Sequence, residues 1–256
     1  MIDLHCHLPF GLSDGPGAEE ESLRILERAA AAGTTYINAV IHAGPDEAAL
    51  PGVVGRLSRR AAELGIALHP GVEYDGFSGF GGGGGVRPFT VGERSRYMLI
   101  DLRTARTLFQ APQQVSELSA RGIRAVIVHP EVLFSPSQLP LLRRLADADA
   151  VMQLNAPSLL PDAPAPVRDM ARRCLDAGLC SLVASDAHRA EGTRRWRLDE
   201  AREHVARLYG ESAALLLFEK NPARLLDDLV PPAWHPPKRK ERNGWFSQLK
   251  TLFRRD

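Results

Sequence analysis

Residues 1–8 read MIDLHCHL, an apolar β-like run that carries two histidines, His5 and His7. Side chains two positions apart on a strand point to the same side, so both imidazoles are expected on one side and Cys6 on the other. Further runs of this kind follow at residues 36–42, 67–73, 97–101, 125–129, 151–155 and 181–185. Amphipathic helical stretches separate them, which indicates βαβ units and a parallel sheet. Seven such units favour a closed or nearly closed α/β barrel over an open sheet.

The composition fits one large α/β domain with a tail. The chain has 256 residues, of which 44% are hydrophobic and 25% charged, as in ordinary globular proteins. The three cysteines are odd in number and not spaced as a zinc knuckle, which indicates reduced thiols. The start shows no secretory signal pattern, and no apolar run approaches the ~18 residues that span a bilayer. We therefore expect a cytoplasmic protein. Two further helical stretches, residues 198–209 and 212–228, follow the last strand.

Charge and proline content divide the chain near residue 230. Residues 1–230 carry 25 basic and 29 acidic groups, a mildly acidic balance that argues against nucleic acid as a partner. Residues 231–256 carry seven basic and two acidic groups, in a proline-rich linker followed by a basic amphipathic tail. Large apolar side chains recur in this tail at helical spacing: Trp245, Phe246, Leu249, Leu252 and Phe253. The tail is expected either to lie as an interfacial helix on a membrane surface or to pack on the barrel.

Residues of the kind that bind metal ions stand at the ends of successive predicted strands. They are His5, His7, His42, Glu73, Asp101, His129, Asp186 and His188. In a parallel barrel all strand C-termini meet at one face, which is where active sites are built. Nitrogen and carboxylate ligands without cysteine suit Mn, Zn or Fe. The set is larger than one ion needs, so it predicts two or three.

Several motifs together resemble one known family. The segments MIDLHCHLPFGLSDGP, VEY, RYMLID, AVIVHPE and ASDAH are similar to the PHP (polymerase and histidinol phosphatase) superfamily. They resemble in particular its manganese-dependent bacterial protein-tyrosine phosphatases of capsule and exopolysaccharide loci, the CpsB/YwqE type. The similarity extends from Met1 to about Leu229 and includes the late NPARLL stretch. It implies a distorted seven-stranded (β/α) barrel of PHP type, formed by residues 1–230, with a metal site at the C-terminal ends of the strands.

The resemblance also implies the roles of site residues. The metal ligands would be His5, His7, Asp14, His42, Glu73, Asp101, His129, Asp186 and His188. Glu73 would bridge two ions, and His42 and His188, with Asp14 nearby, would hold a third. The implied cofactor is Mn²⁺, in two or three ions, with Fe or Zn as alternatives. The implied reaction is hydrolysis of phosphotyrosine by a metal-bound hydroxide. The implied partner is a phosphotyrosine protein, in particular a membrane-associated bacterial tyrosine kinase, with peripheral contact to the inner membrane through the tail.

Two positions depart from the family pattern. The family usually has Glu where this chain has Asp101, a side chain one methylene shorter. More important, the family's strand-five motif continues with Arg where this chain has Val132, and that Arg would clamp the substrate phosphate bidentately. Arg103 and Arg189 follow ligand-bearing segments, and each is a candidate to contact the phosphate instead.

Two alternative functions remain open from the sequence. One is a PHP phosphoesterase that acts on a small phosphomonoester. The other is a weakly active metal-binding scaffold, which Val132 and the glycine-rich residues 79–85 favour modestly. Activity on phosphotyrosine peptides, compared with activity on small phosphomonoesters, distinguishes the phosphatase from the first alternative. Bound metal without turnover would indicate the scaffold.

Overall fold

The computed structural model describes residues 1–77, 89–92, 95–103 and 108–236. The glycine-rich residues 79–85 and the five apolar positions of the tail lie outside these described residues. The expectations placed on them therefore stay predictions.

Parallel strands form one seven-stranded sheet in which each strand pairs with the next along the chain. The strands are β1 (Ile2–Cys6), β2 (Tyr36–His42), β3 (Ala67–Asp75), β4 (Tyr97–Asp101), β5 (Arg124–Val128), β6 (Val151–Asn155) and β7 (Leu182–Ala184). Each begins and ends within two residues of its predicted bounds. The alternation of apolar runs and helical stretches was therefore sufficient to place the whole sheet.

Helices connect the strands and cover the sheet. They are α1 (Glu19–Ala31), α2 (Leu50–Glu63), α3 (Ala111–Ala120), α4 (Pro130–Leu133), α5 (Leu139–Asp147), α6 (Ala165–Asp176), α7 (Leu198–Tyr209), α8 (Glu211–Leu215) and α9 (Asn221–Leu226). The helical stretch predicted over 212–228 is divided, because a π-helical turn (Leu216–Lys220) joins α8 to α9. The buried Asn221 donates from its side chain to the carbonyl of Ser181 at 2.7 Å, which ties this turn to the start of β7. No helix in the described ranges is long and apolar enough to cross a membrane.

The sheet closes between its last and first strands. The amide of His7 donates to the carbonyl of Ala187, and the amide of Asp186 donates to the carbonyl of His5, both at 2.8 Å. Cys6 pairs with Ala187 in a parallel bridge. These bonds come from the segment just after β7, so the closure is displaced toward the C-terminal ends of the strands. The prediction of a distorted seven-stranded barrel is confirmed.

The core has two layers. The larger one lies between the strands and the surrounding helices. The smaller one fills the barrel interior and includes Leu4, Val40, Leu99, Val126, Val128, Leu182 and Leu225. Val40 and Leu99 lie two positions before His42 and Asp101, on the same side of their strands. The barrel interior is therefore apolar in its lower part, toward the N-terminal ends of the strands, and polar at the mouth formed by their C-terminal ends.

An irregularity in β1 determines which way the first histidines point. Asp3 pairs with Ile37 and Cys6 with Ala39, so β1 holds one residue more than β2 over this interval. Such a bulge lets two consecutive side chains face the same side of a sheet. Leu4 accordingly joins the interior core, whereas Cys6 belongs to the outer one. Leu4 and the adjacent His5 both face the interior, and the bulge brings His5 and His7 to the mouth.

Candidate metal centre

All nine side chains implied as metal ligands come together at the mouth of the barrel. They form three overlapping groups, and within each group one ligand atom from every member lies within 4.8 Å of the others. The groups are His7, Asp14, His42 and His188; His5, His7 and Asp186; and Glu73, Asp101 and His129. His7 belongs to two of them.

Glu73 lies at the centre of this arrangement. Its Oε2 is 3.4 Å from His5 Nε2, 3.1 Å from His7 Nε2 and 3.2 Å from His42 Nδ1. Its Oε1 is 2.8 Å from His129 Nε2. One buried carboxylate thus lies close to histidines of all three groups.

Two of the side chains depend on unusual backbone conformations. His129 has φ 36° and Asp186 has φ 50°, both in the left-handed region that few residues other than glycine adopt. Each such residue costs on the order of 1–3 kcal/mol and persists only where its surroundings hold it. His129 lies between the last residue of β5 and the first residue of α4. Both residues are candidate ligands whose side chains face the mouth.

A set of arginine contacts holds the loop that carries Asp14. Arg189 Nη1 donates to the carbonyls of Asp14, Gly15 and His188 at 2.7–2.8 Å. Arg194 Nη2 donates to Asp14 Oδ2 at 3.0 Å. Nη1 of Arg189 therefore holds backbone carbonyls of this loop. The sequence had suggested Arg189 as a phosphate contact.

Arg103 and Val132 are open to solvent. The backbone amide of Arg103 donates to Asp101 Oδ1 at 2.7 Å, and its Nη2 lies 3.0 Å from Asp101 Oδ2. Its side chain is 58% exposed, so it can still meet an arriving anion. The side chain of Val132, on α4, is also half exposed, at 50%.

Burial and neighbouring charges shift the pKa values at the mouth in opposite directions. Burial lowers the pKa of His7 to about 4. Burial also disfavours charge on His5, but the carboxylates of Glu73 and Asp186 outweigh it and raise the pKa of His5 to about 10. Despite burial, the imidazoles of His5 and His129 hold the pKa of Glu73 well below its usual range. The central carboxylate therefore stays ionised, which is the form that binds cations.

Raising the pH of metal-free protein from about 6.5 to about 10 is expected to lower its free energy of unfolding. Over this range the folded chain retains a proton on His5, with its pKa of about 10, that the unfolded chain has released. This stabilisation is complete below about pH 6.5 and is lost toward pH 10, by roughly 1.4 kcal/mol per pH unit for one such group. His7, with a folded pKa of about 4, opposes this effect only near pH 6.5, where the unfolded chain still releases its proton, and contributes nothing at higher pH.

Urea unfolding of chelator-treated protein at several pH values measures this dependence. A sample loaded with Mn²⁺ should not lose stability in the same range, because the cation takes the place of the proton. An increase in the stability of the metal-free protein with pH would contradict the expected coupling.

The donor set fits divalent cations. Several buried polar atoms at the mouth make no well-directed hydrogen bond within the described part of the chain, although other ligand atoms lie close to them: His7 Nδ1, Asp14 Oδ1, Glu73 Oε2, His129 Nδ1 and His188 Nε2. Buried polar atoms are rarely left unpaired, because losing water without a replacement partner costs free energy. Nitrogen and carboxylate oxygen donors that converge in this way are what Mn²⁺, Fe²⁺ and Zn²⁺ bind.

Sequence reasoning missed the polar residues beneath these ligands. Gln153 and Asn155 on β6 are buried and contact His5 and Asp186, respectively. Glu131 is also buried, and it accepts a hydrogen bond from the amide of Asn155 at 2.9 Å. A signal was present, since Gln153 and Asn155 are two positions apart at the end of a predicted strand. Amide side chains are not among the residue types, histidine and carboxylate, from which the site was predicted.

Fold and site together define a parallel α/β barrel with a candidate multinuclear metal centre at the C-terminal ends of its strands. The model of the family described as capsular polysaccharide synthesis, CpsB/CapC, matches residues 1–227. The chain therefore belongs to the CpsB/CapC family, and the resemblance inferred from its motifs is confirmed.

Relatives of known name span nearly the whole chain. It is 27% identical over 260 residues to the tyrosine-protein phosphatase YwqE of Bacillus subtilis, covering 96% of this chain and 100% of the relative. It is 26% identical to the tyrosine-protein phosphatase CpsB of Streptococcus pneumoniae, covering 89% of this chain and 99% of the relative.

Solved structures show the same fold. One, from a study of YwqE and CpsB described as unique metal-dependent tyrosine phosphatases, has a TM-score of 0.76 at 25% identity and covers 93% of this chain and 100% of its own. The dihydropyrimidinase of Brevibacillus agri has a TM-score of 0.56 at 12% identity, covering 92% of this chain and 73% of its own, a likeness in fold alone.

Proposed function

We propose that this chain is a metal-dependent protein-tyrosine phosphatase that acts in capsule or exopolysaccharide regulation. The observation that carries the proposal is the convergence of nine histidine and carboxylate side chains in three groups, with Glu73 close to histidines of all three. Membership of the CpsB/CapC family and the names of the relatives support it.

The cofactor we propose is Mn²⁺, in two or three ions held by the three groups, with Fe or Zn as alternatives. When bound, such ions supply a water of lowered pKa and positive charge for the phosphoryl oxygens. The ligand side chains would hold these positive ions in fixed positions at the mouth. Because His5, His7 and Glu73 are almost completely buried, they cannot turn away toward solvent.

Exposure indicates the side from which the substrate arrives. The side chains of His42 and Asp14 are 36% and 40% exposed, in contrast to the buried ligands below them. We therefore place the phosphoryl group at the His42–Asp14 side of the mouth. Arg103 is our candidate for the phosphate contact that Val132 does not provide. We assign Arg189 to holding the Asp14 loop, because its Nη1 already donates to three carbonyls.

A cysteine nucleophile is disfavoured. Cys6, Cys174 and Cys180 are all buried, and burial raises their thiol pKa values, that of Cys174 to about 12. Only a thiolate attacks phosphorus efficiently, so these thiols are poor nucleophiles. A tyrosyl phosphate releases a phenolate of pKa about 10, which needs less proton assistance than an alkoxide.

Phosphate release tests this function. Chelator-treated protein is assayed with a phosphotyrosine peptide, the matching phosphoserine peptide and a small alkyl phosphomonoester, before and after Mn²⁺ is added. We expect hydrolysis that depends on Mn²⁺ and favours phosphotyrosine. Faster turnover of the alkyl ester would support the small-substrate phosphoesterase instead. Bound Mn²⁺ without turnover of any ester would support the scaffold.

We further propose that the phosphotyrosine protein is a membrane-associated bacterial tyrosine kinase and that the basic tail contacts the membrane. The support is the sequence pattern of the tail and the family. Trp234 is buried and donates to the carbonyl of Leu175 at 3.0 Å, so a truncation that spares the barrel ends after Pro236. This variant should retain catalysis but no longer sediment with anionic vesicles. A full-length protein that also fails to sediment with them would contradict the membrane role.

A further inference from the structure

β6 supplies two amides, rather than a histidine or carboxylate, to the base of the metal centre. Gln153 Oε1 lies 2.9 Å from His5 Nδ1, and Gln153 Nε2 donates to Asn155 Oδ1 at 2.9 Å. Asn155 Nδ2 in turn donates to Asp186 Oδ2 at 2.6 Å. The two amides thus form an unbroken chain of hydrogen bonds between two candidate ligands from opposite sides of the barrel closure.

The chemistry of its ends fixes the direction of this chain. The ionised carboxylate of Asp186 can only accept, so Asn155 must present its NH₂ group to it. Asn155 Oδ1 then faces Gln153 and must accept from the NH₂ group of Gln153. Gln153 is left with its oxygen toward His5, so His5 Nδ1 must carry a proton and donate. The only position of His5 that can give up a proton to bind a cation is then Nε2.

That assignment agrees with where the atoms point. His5 Nε2 is 3.4 Å from Glu73 Oε2 and 3.6 Å from Asp186 Oδ1, on the side of the candidate ions. Because Asn155 occupies Oδ2 of Asp186, the other carboxylate oxygen is the one that faces His5. This chain of hydrogen bonds is held rigidly, since Gln153 is fully buried and the backbone N–H of Asn155 donates to Glu131 Oε1.

We propose that Gln153 and Asn155 are positioning residues that act as one unit, fixing His5 as an Nε2 ligand and Asp186 as an Oδ1 ligand of the same cation. Outer hydrogen bonds of this kind set the tautomer and orientation of metal-ligating histidines, and their loss typically weakens metal affinity about 10- to 100-fold. The inference rests on the proposed metal centre.

The test measures Mn²⁺ affinity directly, by equilibrium dialysis of chelator-treated full-length protein. Gln153→Ala and Asn155→Ala are each expected to raise the Kd of the weakened site about 10- to 100-fold. Each single variant already interrupts the same series of hydrogen bonds. The Kd of the double variant should therefore be no higher than that of the single variant with the higher Kd. If Gln153→Ala folds poorly, Gln153→Met takes its place. It keeps the volume of the side chain but has no hydrogen-bonding amide, so it should raise the Mn²⁺ Kd to the same extent.

Met152→Ala is the matched control. Met152 directly precedes Gln153 on β6 and packs in the outer core, so its truncation should lower the melting temperature and leave the Mn²⁺ Kd unchanged. Wild-type Kd values in folded Gln153→Met and Asn155→Ala proteins would overturn the proposal, as would losses that add in the double variant. A wild-type protein that binds no Mn²⁺ would overturn the metal centre itself. Wild-type binding with unaffected variants would overturn only the positioning role.

Discussion

Replacing Glu73 by Gln is expected to lower kcat/KM for a phosphotyrosine peptide by about three orders of magnitude or more, which corresponds to roughly 4 kcal/mol of transition-state stabilisation. Glu73 contacts histidines of all three ligand groups, so losing its charge affects every candidate ion together. The amide has the same shape as the carboxylate, and the barrel should therefore still form. Bound Mn²⁺, measured by elemental analysis, should fall in parallel with activity.

Glu63→Gln is a suitable control for that experiment. Glu63 is exposed at the end of α2, where it pairs with Arg60, and the same change of charge there should leave both readouts unchanged. A folded Glu73→Gln protein that retains its Mn²⁺ and most of its activity would contradict a bridging role for this carboxylate.

Val132→Arg is expected to raise kcat/KM about 10- to 100-fold. A hydrogen bond to a charged group contributes on the order of 1.5–3 kcal/mol, and a guanidinium at this position can hold phosphate bidentately. Val132 is 50% exposed, so the longer side chain needs no space in the core. The melting temperature should change little, since exposed substitutions usually alter stability by less than about 0.5 kcal/mol.

Val132→Lys separates charge from geometry. It supplies a positive charge without the planar fork of arginine, so we expect a smaller gain than with arginine. Equal gains from both variants would mean that charge alone is responsible. A stable, metal-loaded Val132→Arg protein without any gain would indicate that Arg103 or another group already binds the phosphate.

The strands and the ligand positions were predictable because both are local patterns. Each strand is a short apolar run, and eight of the nine candidate ligands stand at or just beyond the end of such a run, as with His42, Glu73 and His129. A parallel barrel then necessarily brings these ends together. Asp14 is the exception, because it lies in the loop after β1 and was implied only by the family resemblance.

The remaining features depend on contacts between distant residues. The bulge in β1 reflects how that strand registers with β2, and nothing in MIDLHCHL shows it. Arg189 looks like any loop arginine in the sequence, and only the folded loop shows that it holds the carbonyls of Asp14 and Gly15. Trp234 belongs to a proline-rich segment but packs on Leu175 across the fold. Local composition cannot specify such partners.

The most direct test of the metal centre is anomalous diffraction from crystals of the full chain grown with Mn²⁺, with data collected on both sides of the manganese absorption edge. We predict two or three manganese peaks at the mouth of the barrel. Each should lie within one of the three ligand groups, with Glu73 between them and His5 Nε2 and Asp186 Oδ1 on the same ion. Manganese-loaded, active crystals with no anomalous peak among these side chains would contradict the account.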